Sequence, residues 1–312
     1  MKNINKRLIY FTCILLVLLM GSFYINAYYY KIKAYNIPTS TKTLITGSSL
    51  VANGVDPQYI PNSVNIALAA EPLCLSYFKL KDILNREHEG LNTVVVSYSL
   101  PDISYDWDNV FIQSKKVSGE MLKRIFSLEN GPGPLELGSI FPLDWFIASE
   151  TYLRYRVFPN LSDWSVYWSK NKHPGYIGSY LPADSYFRKD TVVYEKFLRN
   201  HFPLPAITYQ PVVGKMNSYI DSIQNLINDH QLSLVTLGFP IVDTFNLAIP
   251  ELYKSAFDNQ LNKLNAQNSG QWQHFQFEIR DRSLFSDYLH LNKEGAIQFS
   301  ERLSKVIYND FE

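Results

Sequence analysis

Phe285-Ser286-Asp287-Tyr288-Leu289-His290-Leu291-Asn292-Lys293-Glu294-Gly295 stands near the C-terminus, directly before a run with helical periodicity. An Asp three residues before a His sets both side chains on one side of a turn. There the carboxylate can orient the imidazole, and the imidazole can take a proton from a hydroxyl. Asn292 is suited to cap the following helix and so to hold the loop against the ends of a sheet. Such a pair needs a nucleophile, and the best candidate lies far upstream, in Thr46-Gly47-Ser48-Ser49-Leu50. Taken alone, Ser48-Ser49 reads better as a helix cap.

The chain between these two ends has an α/β rhythm. Thr43-Leu44-Ile45-Thr46 is a short β-prone run closed by Gly47, which lets the backbone turn sharply. Ser63–Leu68 reads as a second strand and Asn92–Tyr98, with Val94-Val95-Val96, as a third, apolar throughout as interior parallel strands are. Between them Glu71–His88 carries Leu73, Tyr77, Leu80 and Leu84 on one helical face. Glu71 there reads as a helix-start acid favoured by the dipole. The segment Val51–Pro61 looks looser. After a break, helices are expected over Met216–His230, Pro250–Leu264 and Lys293–Tyr308, with strands over Leu232–Leu237 and Trp272–Ile279. Strand, helix, strand in this order predicts a mostly parallel sheet with right-handed crossovers. A serine at the end of the first strand then sits where open α/β sheets place their ligands.

The break runs from about 101 to 210. Four of the five tryptophans (Trp107, Trp145, Trp164, Trp168) fall in it, with helices expected near Lys116–Leu128 and Leu143–Phe158 and turns at Gly131–Pro134 and His173-Pro174-Gly175. It reads as one large aromatic-rich insertion in a single domain covering 31–312. Trp164 and Trp168 could stack on sugar rings, although aromatic runs more often serve a core.

With the first-strand serine and the last-loop Asp-x-x-His in hand, the chain resembles the SGNH, or GDSL-like, hydrolase superfamily. Gly47-Ser48-Ser49-Leu50 matches that family's first block, with Ser48 where Asp is usual, and Asp287 and His290 with Leu291-Asn292 and Gly295 match the last. The likeness covers 43–100 and 214–308. It implies a flavodoxin-like three-layer α/β sandwich and a catalytic set of Ser49, His290 and Asp287. It also implies acyl transfer through an oxyanion hole built from Ser49, Ala70 and Ser99. Two blocks depart: Ala70 stands where the family's second block has glycine, and Ser97–Asp102 lacks the third block's Asn. A lost oxyanion donor costs on the order of a hundredfold in turnover, which suits a specialised enzyme rather than a fast general esterase. No cofactor is implied.

Composition narrows the setting. With 29 basic and 29 acidic residues, no general field invites nucleic acid. His173, His201 and His230 have no metal-like spacing, so no metal is expected. Cys74 lies on an apolar helix face, as a buried thiol would. A basic head with Lys2, Lys6 and Arg7 precedes Leu8–Tyr24, which carries no charge. This predicts an uncleaved single-span anchor over 1–30, N-terminus in the cytoplasm and the domain outside, with secretion after signal cleavage as the alternative. By analogy with tethered relatives, the expected substrate is an O-acylated envelope or extracellular glycan. The expected partner is a multispanning membrane O-acyltransferase, with esterase and transferase in close competition. The rival readings are a catalytically inactive SGNH-like accessory subunit and a lipase at the membrane surface.

Overall fold

The computed structural model describes residues 2–33, 37–86, 90–104, 131–140, 209–267 and 272–309, with single positions between 122 and 202. The chain separates into two compact units. One comprises Met1–Asn36 and Asp108–Lys170, the other Ile37–Trp107 and Asn171–Glu312.

The larger unit is an α/β fold around five parallel strands, β1 (Thr43–Thr46), β2 (Ser63–Asn65), β3 (Thr93–Ser97), β4 (Ser233–Gly238) and β5 (Trp272–Gln276). Their order is β2-β1-β3-β4-β5, the doubly wound order of flavodoxin-like sheets. Register pairs Leu44 with Val64 and Val94, Val95 with Val235, and Leu237 with Phe275. β1 and β3 are buried at every position. That explains their unbroken apolar character, since helices cover both faces.

Helices of the larger unit form its outer layers. In chain order the described helices of the whole chain are α1 (Lys2–Lys33), α2 (Ser49–Gly54), α3 (Leu73–Leu84), α4 (Leu100–Ser104), α5 (Pro134–Ile140), α6 (Tyr209–Asp229), α7 (Asp243–Ala248), α8 (Glu251–Gln267) and α9 (Lys293–Asn309). α6 packs against α3 and α4, and α8 against α4, while α9 packs against α2. Cys74 is fully buried on α3.

Several element bounds differ from the sequence-based expectation. β2 stops at Asn65 instead of Leu68, although Ile66 N and Leu68 N still donate to Ile45 O and Gly47 O, and the Asn65 side chain pins the segment that follows. Its Oδ1 accepts from Ala67 N at 2.9 Å while Nδ2 donates to Val51 O and Val55 O. α3 begins after Pro72, so Glu71 is not a helix-start acid. Its carboxylate forms a fully buried ion pair with Lys79 at 2.6 Å. The segment expected to be loose holds α2 and a single 3-10 turn, Pro57–Tyr59, both too short to show periodicity. α6 begins at Tyr209 instead of Met216.

The smaller unit contains α1 and α5. Within α1, Ile4–Ser22 is long and apolar enough to cross a membrane, and none of that stretch is buried. The helices expected near Lys116–Leu128 and Leu143–Phe158 lie outside the described residues, apart from single buried positions such as Leu122, Ile125 and Ala148.

Candidate active site

β1 delivers its chain end to the point where the strand order reverses, between β1 and β3, outside the C-terminal ends of the strands. This is the crevice where doubly wound sheets bind ligands. Gly47 makes the turn at φ +146°, and a Cβ there would lie 2.5 Å from the Ser97 Cβ. Only glycine fits. Ser48 then caps α2, its Oγ accepting from Leu50 N at 3.4 Å, and Ser49 is the first residue of the helix. Ser48 thus takes the cap, and Ser49 enters the helix beside it.

The other half of the site is a closed loop before α9. Phe285 and Leu291 form an antiparallel bridge, and Ser286 N donates to His290 O at 2.9 Å. Asn292 caps α9 by accepting from Gly295 N at 3.0 Å and anchors the loop by donating to Ser283 O at 2.6 Å. A side chain at Gly295 would strike Leu284 O at 2.2 Å. Asp287 Oδ1 accepts from Leu289 N and His290 N, both at 2.8 Å, and Oδ2 lies 2.8 Å from His290 Nδ1. On the far side of the imidazole, His290 Nε2 lies 2.8 Å from Ser49 Oγ. Residues 241 positions apart therefore meet in one hydrogen-bonded chain, hydroxyl to imidazole to carboxylate.

Electrostatics keep the end of that chain charged. Burial pushes the Asp287 carboxyl up, but the His290 hydrogen bond, its charge and two backbone N–H groups together hold it below the ordinary Asp value. An ionised Asp287 fixes the proton on Nδ1 and leaves Nε2 to accept from the serine.

The expected oxyanion residues are not alike. Ala70 sits exposed at φ 53°, a left-handed backbone that favours glycine. Among the described residues neither its N–H nor that of Ser49 has a protein acceptor. Ser99 is buried and both its donors are committed, the N–H to Asp102 Oδ2 at 3.0 Å and the hydroxyl at 2.7 Å. In this arrangement Ser99 has no donor left for an oxyanion.

Asp102 is the residue that sequence reasoning passed over. Its carboxylate also accepts from Ser97 Oγ and, at 2.6 Å, from Ser48 Oγ. It therefore ties the end of β3 to the residue beside Ser49. Burial pushes its pKa up, against the four hydrogen bonds that favour the charged form. Ser99-Leu100-Pro101-Asp102 carries the signal, an acid three residues after a serine, but not the Asn that the resemblance implies at that block. Trp164 and Trp168 lie outside the described residues. No group of three or more His, Cys, Asp or Glu among the described residues could hold a metal.

No protein-family model matches the chain, and no curated protein does. A solved structure described as a candidate platelet activating factor from Streptococcus pneumonia superimposes with a TM-score of 0.42 at 10% sequence identity, covering 95% of this chain and 98% of that one. Neither family nor chemistry rests on that likeness.

Proposed function

We propose that the protein is a serine acyl-ester enzyme of SGNH type, an O-acylesterase or O-acyltransferase, with Ser49 as nucleophile, His290 as general base and Asp287 as its orienting carboxylate. The observation that carries this reading is the unbroken Ser49–His290–Asp287 chain, 2.8 Å at each link. His290 would take the Ser49 proton as the hydroxyl attacks the ester carbonyl, then return it to the departing alcohol. The N–H groups of Ser49 and Ala70 would hold the oxyanion. The acyl-enzyme would then pass its acyl group to water or to a second hydroxyl.

The glycan substrate, the multispanning acyltransferase partner and an extracytoplasmic site on a single-pass anchor belong to the same proposal. One further element of it is that 101–210 forms an insertion in that domain. Support comes from the apolar Ile4–Ser22 helix behind a basic head, and fold alone does not choose a substrate.

A second reading, an inactive accessory subunit, is favoured by the committed donors of Ser99 and the unfavourable φ of Ala70. The discriminating experiment treats the full chain in detergent micelles with a fluorophosphonate probe. Labelling that is lost in both Ser49→Ala and His290→Ala is the expected outcome. A folded wild type that does not label would favour the accessory subunit.

A further inference from the structure

Beside the triad, over the C-terminal ends of β3, β4 and β5, lies a cleft of about 490 Å³. Its near wall begins at Ser99 and Leu100, one strand step, about 5 Å, from the β1 end that carries Ser49. Ser99 connects to the site through Asp102, which accepts from both Ser99 and Ser48. The Phe239–Ile241 wall is joined to the triad loop at its end, where Val242 N donates to Tyr288 O at 3.2 Å. The walls of the cleft are thus tied to the residues that hold the site, although Ser49 and His290 do not line it.

Its lining is mixed in a particular way. Asp243, Asn246, Lys254 and Asp258 face it, and among the described residues none of these side chains has an ion pair or hydrogen bond with protein. Arg280 and Glu278, also in the wall, satisfy each other at 3.1 Å. Among the described residues, that leaves one uncommitted cation and two uncommitted carboxylates in the lining. A fixed anion would face Asp243 and Asp258, and a fixed cation would face Lys254; each meets like charge. A hydroxyl both donates and accepts. A neutral polyol can therefore use carboxylate, amide and ammonium together without a charge conflict. Phe277 adds apolar ring surface for the C–H face of a sugar ring.

We infer that this cleft binds a neutral, hydroxyl-rich saccharide segment beside Ser49, with Asp243, Asn246, Lys254 and Asp258 as its polar contacts. The inference rests on the glycan-directed reading above and adds where the glycan is held and its charge class.

Saturation-transfer NMR on the full chain in detergent micelles tests it, using cellotetraose, maltotetraose and tetra-N-acetylchitotetraose as neutral probes. Tetragalacturonate and a chitosan tetramer serve as anionic and cationic counterparts. Transfer to at least one neutral probe is expected, with affinity weakened by about tenfold or more in an Asn246→Ala/Lys254→Ala variant. An unchanged melting temperature shows that this variant is folded; should it not fold, Asp258→Asn takes its place with the same expected loss. The inference is overturned if no neutral probe binds, if only a charged probe binds, or if the folded variant binds as the wild type does. Fluorophosphonate labelling of the same wild-type sample separates the two readings. Labelling without saccharide binding overturns the cleft assignment alone, and binding without labelling overturns the Ser49 chemistry alone.

Discussion

Ala70 carries backbone strain at the site. At φ 53° an alanine lies in a region that costs about 1 kcal/mol or more and that glycine occupies freely. Ala70→Gly is expected to raise unfolding stability by about 0.5–1 kcal/mol, read as a higher urea midpoint at unchanged slope. A lower midpoint would show that the loop relaxes around the alanine at no cost. His274 offers a second test at this scale. Burial lowers its pKa to about 4, while in the unfolded chain it titrates near 6.5. The unfolded state thus binds the extra proton first. The stabilising contribution of neutral His274 is fully present above about pH 6.5 and is lost as pH falls through about 4. The change is on the order of 2–3 kcal/mol. Denaturant midpoints between pH 7 and 4 should fall less steeply in His274→Asn than in wild type. Equal slopes would assign the acid sensitivity elsewhere.

The crossover from β2 to α3 depends on one buried ion pair. Glu71 accepts from Lys79 at 2.6 Å, from Ser76 Oγ at 2.5 Å and from Leu68 N at 3.1 Å, and Lys79 also donates to Ile66 O at 2.7 Å. Both charged side chains are wholly buried. Removing one partner leaves the other charge uncompensated, so Glu71→Gln is expected to cost about 3–5 kcal/mol. Glu71→Gln combined with Lys79→Met should recover much of that loss. Chemical denaturation of the three variants decides this, and a double variant as unstable as the single would sink it. Because Leu68 N is held by Glu71, the pair also holds the loop that leads to Ala70. The sequence invited a different role for Glu71, as a dipole-compensating acid. Lys79, eight positions later and inside α3, could not be matched to it by charge pattern alone.

At the scale of the molecule, α1 contributes reach. Its 32 residues span about 48 Å, beyond the roughly 30 Å of a bilayer core. The full chain is expected to stay with membranes through alkaline carbonate extraction, and deletion of residues 2–33 to release it. Extraction of the intact chain by carbonate would count against an anchor.

Much of this was legible in the chain itself. The apolar runs at Leu44, Val94–Val96 and Leu234–Leu237, separated by helix-length amphipathic segments, determined a parallel α/β sheet, because strands buried on both faces need continuous apolar sequence. The unbroken Leu8–Tyr24 run determined a candidate span for the same reason, since hydrophobicity is local. Short-range pairing also placed Asp287 beside His290, three residues on in one turn. What sequence could not decide were contacts that only closure of the sheet creates. These include the 2.8 Å contact of Ser49 with His290 across 241 positions, which the sequence offered only as an expectation, and Asp102 gathering Ser48, Ser97 and Ser99 around one carboxylate. The commitment of Ser99's donors and the burial of Glu71 with Lys79 belong there too. Such hydrogen bonds depend on distance and desolvation in three dimensions, and neither is encoded in the spacing of residues along the chain.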